Sequence, residues 1–94
     1  MDEVKKILVV EDEAHLAKGL QFNLEREGYM VSLVDNGESA IDLLGQQVFD
    51  LMILDIMLPK LNGLEVARRV RKTDLRFPIL MLSAKSSDED RELG

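Results

Sequence analysis

The chain has 94 residues, 46% hydrophobic and 32% charged, with a formal net charge of -6 and no cysteine. That length fits one domain, spanning 1–94, and its apolar share is too high for a disordered chain, so a real core is expected. The missing cysteine excludes a disulfide scaffold, a zinc ribbon and a thiol nucleophile, and the acidic balance argues against nucleic acid or an anionic membrane surface as a direct partner.

At the N-terminus, Met1-Asp2-Glu3-Val4-Lys5-Lys6 leads into an apolar run too short for a secretory signal, and no small-residue cleavage site follows. No apolar run approaches the roughly 20 residues of a membrane span. A cytoplasmic domain is expected. Ile7-Leu8-Val9-Val10 is short, unbroken and rich in β-branched residues, which predicts a strand buried on both faces, as in a parallel sheet. It stops at Glu11-Asp12-Glu13, and the period then changes: Leu16, Ala17, Leu20 and Leu24 recur at helical spacing. Asp12 stands where an N-cap would, and Gly28 where a left-handed C-cap is needed. Met30 to Val34 predicts a second strand. Asp35-Asn36-Gly37 could mark a hairpin, but Ala40, Ile41 and Leu44 follow at helical spacing, so a strand-to-helix turn is expected.

Gly45 to Val48 is expected to be a connection. Leu51-Met52-Ile53-Leu54 predicts the most apolar strand, again ending at a carboxylate, Asp55. Ile56 to Leu61 is a loop turning at Pro59. Asn62 with Glu65 three residues on is an N-cap signature, and Val66, Ala67 and Val70 give the third helix its buried face. Pro78 introduces a fourth strand, Ile79-Leu80-Met81-Leu82, which ends at Ser83-Ala84. Ser86 with Glu89 forms another capping box, and Asp88 and Asp90 favour the start of a further helix. The order βαβαβαβ implies an α/β fold: a doubly wound parallel sheet with right-handed crossovers and helices on both faces.

Glu11 and Asp12 follow the first strand, Asp55 the third, and the hydroxyl of Ser83 the fourth. In open α/β sheets ligands bind outside the carboxyl ends of the strands, where the strand order reverses. If the first and third strands are neighbours, the three acids converge there. Two carboxylates about 4 Å apart repel by roughly 4 kcal/mol at an effective dielectric of 20. With no Lys or Arg at these strand ends, a cation is expected from outside, and an oxygen donor set with room for water suits Mg²⁺. An Asp beside Mg²⁺ can attack phosphorus to give an aspartyl phosphate, with donors such as Ser83 around the phosphoryl oxygens. Singly, Asp12 reads as a cap, Asp55 as a loop residue and Ser83 as a satisfied hydroxyl; their conjunction at one end of a parallel sheet points to a site. His15, in the first helical turn, is expected on the surface, and the five methionines read as core filler.

Four ordered stretches carry a resemblance: Lys6 to Glu13, Asp50 to Pro59, Asn62 to Glu65 and Pro78 to Ala84. Together they resemble the receiver domain of a bacterial two-component response regulator, of the winged-helix, transcription-regulating subfamily, over almost the whole chain. The resemblance implies a flavodoxin-like fold with Asp55 as phosphoacceptor and Asp12 as a direct Mg²⁺ ligand. Glu11 would contribute mainly through water, and Met57 through its backbone carbonyl. It makes Ser83 the switch hydroxyl, and Pro59 and Gly63 the turn into the third helix. The phosphoryl donor would be a phosphohistidine on a sensor histidine kinase, and DNA would be met only through an effector domain outside this sequence. Receiver domains continue through a complete fourth helix, a fifth strand and a fifth helix. With those go the lysine that ion-pairs with the phosphoryl group, the switch aromatic and the dimerisation face. Lys85 is no equivalent of that lysine. A C-terminally truncated domain is therefore expected, phosphorylated slowly as an isolated chain. It should self-associate, through the edge of its fourth strand or by exchanging elements between copies, giving a molar mass that rises with concentration in light scattering.

Two rivals belong to other classes. A Mg²⁺-dependent phosphatase of the haloacid-dehalogenase kind places a second Asp two residues after the nucleophile, where this chain has Met57, which cannot move a proton. A structural or interaction module would use the acids as caps and would not bind Mg²⁺. Nucleotide binding is disfavoured by the absence of G-x-x-x-x-G-K-[ST] and G-x-G-x-x-G.

Overall fold

Lys6–Val10 (β1), Met30–Val34 (β2), Leu51–Asp55 (β3) and Ile79–Leu82 (β4) form a parallel sheet in the order β2-β1-β3-β4 in a computed structural model that describes residues 3–58 and 60–82. Pro59, Ser83, Lys85 and the Ser86 to Asp90 capping pattern lie outside the described residues. Three helices connect the strands: Ala14–Arg26 (α1), Gly37–Gln46 (α2) and Gly63–Thr73 (α3).

The unbroken apolar strands follow from cover on both sides. Leu8, Val10, Met52 and Leu54 point to one face, where they pack with Ala40 of α2, Val66 of α3, Phe49 and Leu58. Ile7, Val9 and Ile53 point to the other, against Leu20 and Leu24 of α1. Because side chains alternate along a strand, a chain buried on both faces must be apolar at every position, as Ile7 to Val10 and Leu51 to Leu54 are. In β4, Leu80 is level with Ile53 and so shares the α1 face. It is 52% exposed, and among the described residues β4 pairs with β3 alone.

The helix ends correct the sequence expectation in two places. Asp12 is not the cap of α1: Glu13 holds that position in extended backbone, with no side-chain cap bond, and its carbonyl accepts from the Ala17 N–H at 2.9 Å. The helix begins one residue later than the Asp12 signal suggested, because Glu as well as Asp can take the extended conformation an N-cap needs. Helix α2 runs to Gln46, so Gly45 lies in its last turn and not in the connection. The other signals within the described residues hold. Gly28 has φ +98° just past α1, with its N–H bonded to Glu25 O and that of Tyr29 to Leu24 O, the paired bonds of a Schellman end. Asn36 and Asn62 cap α2 and α3, accepting from Ser39 N–H at 2.8 Å and Glu65 N–H at 3.0 Å.

Candidate functional site

Val10 is level with Leu54 across the β1–β3 pairing, so Glu11 and Asp55 leave the sheet side by side. With Asp12 they form a trio in which one carboxylate oxygen of each residue lies within 4.8 Å of the other two. Glu11 and Asp55 are each only 2% exposed, whereas Asp12 is exposed. The backbone fixes the buried pair. Glu11 N–H donates to Val34 O at 3.0 Å, and Glu11 Oε2 accepts the Glu13 N–H at 2.9 Å. Asp55 Oδ1 accepts the Met57 N–H at 3.0 Å, while Ile56 N–H reaches Leu82 O at 3.0 Å. Each carboxylate is thus held by the turn that follows its own strand.

The third side of the site is the start of α3. Gly63 N–H donates to Ile56 O at 3.0 Å. A Cβ at Gly63 would stand 2.3 Å from Asp55 O and 2.8 Å from Ile56 Cα, so only glycine allows this approach. Lys60 completes the loop with φ 63°, a left-handed conformation uncommon for lysine.

Glu11, Asp12 and Asp55 are therefore brought together as expected, and Met57 lies beside them. His15 is exposed and outside the trio. Lys60 lines one cleft with Asp12, and Lys18 lines another with Glu11 and Asp12. No sequence signal marked Lys60, because its placement depends on a backbone conformation that lysine rarely adopts. Nor are the methionines all core filler. Met52 is fully buried, but Met30 is 56% and Met57 53% exposed.

Three carboxylates converging from two strand ends form an all-oxygen donor set, which fits a hard divalent cation and not a soft one. Without a cation their mutual repulsion opposes folding. Asp12→Asn, unfolded by urea in the presence of chelator, is expected to be more stable than the parent by about 0.5 to 1 kcal/mol, a figure kept small by the exposure of Asp12. A clear loss of stability would contradict the repulsion argument.

A parallel α/β sheet with an acidic trio at its carboxyl end defines a class of phosphoryl-handling and metal-handling domains, and the comparisons narrow it to one family. The pattern of the response regulator receiver domain matches residues 7–93, and the chain belongs to that family. It is 50% identical over 90 residues to the alkaline phosphatase synthesis transcriptional regulatory protein PhoP of Bacillus subtilis, covering 96% of this chain and 38% of PhoP. Among solved structures it is similar to the receiver domain of sensor histidine kinase PA1611 from Pseudomonas aeruginosa, which has a magnesium ion coordinated in its active site cleft. That likeness has a TM-score of 0.83 and 33% identity, over 96% of this chain and 75% of that one. A chain in the complex of histidine kinase ThkA with response regulator TrrA matches with a TM-score of 0.81 and 41% identity, over 86% of this chain and 70% of that one. The fold is the flavodoxin-like receiver fold. No helix among the described residues is long and apolar enough to cross a membrane.

Proposed function

We propose that this chain is the phosphoacceptor part of a cytoplasmic response regulator, taking a phosphoryl group from a phosphohistidine of a sensor histidine kinase onto Asp55. The observation that carries this reading is the convergence of Glu11, Asp12 and Asp55 within 4.8 Å at the carboxyl ends of β1 and β3. Asp12 and Asp55 would hold Mg²⁺ directly, with Glu11 acting through water and Met57 through its backbone carbonyl. Bound Mg²⁺ supplies positive charge against the oxygens of the incoming phosphoryl group. Asp55 attacks phosphorus, the phosphorus–nitrogen bond breaks, and the imidazole departs with the bonding pair. The Met57 N–H keeps the Asp55 carboxylate in one orientation, so little reordering is needed at the moment of attack. Ser83 would supply a hydroxyl to the phosphoryl oxygens. With Met57 two residues after Asp55, no side chain at that position can activate water for turnover, which suits a signalling module better than a phosphatase. An effector domain outside this sequence, DNA-binding if the whole protein is a transcriptional regulator as PhoP is, would read the phosphorylated state.

Two measurements test this. In calorimetry the parent is expected to bind Mg²⁺ weakly and Asp12→Ala not to bind it; equal affinities would sink the metal assignment. Incubation with a phosphorylated sensor kinase or with phosphoramidate in Mg²⁺, followed by borohydride trapping and mass spectrometry, should place the adduct on Asp55. An adduct on His15 or Ser83 would refute the assignment.

A further inference from the structure

The two exposed methionines among the described residues differ in where they stand. Met30 opens β2, level with Lys6 at the start of β1, at the end of the sheet away from the acids. Met57 follows Asp55, gives its N–H to Asp55 Oδ1 at 3.0 Å, and lines one cleft together with Asp12. Both residues are more than half exposed, at 56% and 53%, so a small oxidant reaches either one, while Met52 at 0% is shielded. Among the described residues, one accessible methionine thus lines a cleft with Asp12, and a second, equally accessible one is remote from the acids.

We infer that Met57 is an oxidation site, and that its conversion to the sulfoxide by a peroxide tightens cation binding at Glu11, Asp12 and Asp55; this rests on the cation-binding reading above. In the step, a sulfur lone pair attacks one peroxide oxygen, a sulfur–oxygen bond forms and the oxygen–oxygen bond breaks. The departing hydroxide takes up the proton and leaves as water. Sulfur gives up two electrons and the peroxide is reduced. The product changes the donor chemistry of the cleft wall. A thioether is a soft, weak acceptor that Mg²⁺ ignores, whereas a sulfoxide oxygen is hard and polar. Mg²⁺ keeps several waters in sites with few protein ligands, so the new oxygen can act on the ion directly or through one of them. The change is reversible, because sulfoxide reductases return the thioether.

The test treats the chain with hydrogen peroxide, maps oxygen addition by peptide mass spectrometry, and titrates Mg²⁺ calorimetrically before and after. Met30 and Met57 are expected to gain oxygen ahead of Met52. The oxidised parent should bind Mg²⁺ tighter by roughly threefold or more, as befits one added hard acceptor. Met57→Leu, which conserves volume, should show no shift under the same treatment although Met30 is oxidised; Met30→Leu should reproduce the parental shift. The inference is overturned by an unoxidised Met57, by unchanged affinity in the oxidised parent, or by a shift that persists in Met57→Leu. A flat titration in the untreated parent removes the cation site and this inference with it. Cation binding that is indifferent to oxidation defeats the inference alone.

Discussion

Asp55→Asn is expected to reduce phosphoryl uptake by about a thousandfold or more, because an amide oxygen is a far poorer nucleophile towards phosphorus than a carboxylate. The substitution is nearly isosteric, and the side-chain oxygen can still accept the Met57 N–H that now meets Asp55 Oδ1 at 3.0 Å. Removing one charge from a trio packed within 4.8 Å also relieves repulsion. The variant should therefore fold at least as well as the parent in chelator, and a lost adduct could not be blamed on unfolding. Trapped adduct measured by mass spectrometry, with urea unfolding alongside, separates the two effects. Undiminished labelling of folded Asp55→Asn would place the phosphoacceptor elsewhere. Mg²⁺ affinity should fall in the same variant, since one of its proposed direct ligands becomes neutral.

Much of this geometry was legible in the sequence for a simple reason. Strands covered on both faces must be continuously apolar, so Ile7 to Val10 and Leu51 to Leu54 announced themselves, and the acids that end them marked the carboxyl edge of the sheet. The convergence itself was conditional. It required β1 and β3 to be neighbours, a long-range pairing that no local pattern fixes and that the order β2-β1-β3-β4 supplies. Asp12 misled locally, because a carboxylate before a helical run can cap the helix or face a site; Glu13 takes the capping position. The exposed Met57 was misjudged because composition cannot tell a loop thioether from a core one. Lys60 depends on a backbone conformation with no signature in a single sequence, whereas Gly63 was marked by the resemblance as part of the turn into the third helix, without the inter-element distance that makes it necessary.

Gly63→Ala is expected to be the most damaging single methyl group in the chain, costing about 3 kcal/mol or more. The atoms a Cβ would meet are backbone, Asp55 O at 2.3 Å and Ile56 Cα at 2.8 Å, so no side chain can rotate aside. The start of α3 must then move away from the end of β3, which also strains the Gly63 N–H to Ile56 O bond of 3.0 Å. Gly37 offers a graded comparison. Its Cβ would meet Val66 Cγ2 at 2.5 Å and Leu61 O at 2.8 Å, a contact partly with a side chain, so Gly37→Ala should cost less. At Gly19, inside α1, a Cβ meets nothing within 4 Å, and Gly19→Ala should stabilise the chain by about 0.5 to 1 kcal/mol through helix propensity. The three variants measured together by urea unfolding separate close approach from glycine flexibility. The same displacement reaches the site, because Asp55 O and Ile56 Cα belong to the turn that aims the Asp55 carboxylate. Gly63→Ala should consequently weaken Mg²⁺ binding in calorimetry under conditions where it remains folded, while Gly19→Ala leaves it unchanged. A Gly63→Ala chain of parental stability and parental Mg²⁺ affinity would show that α3 can retreat without disturbing the acids.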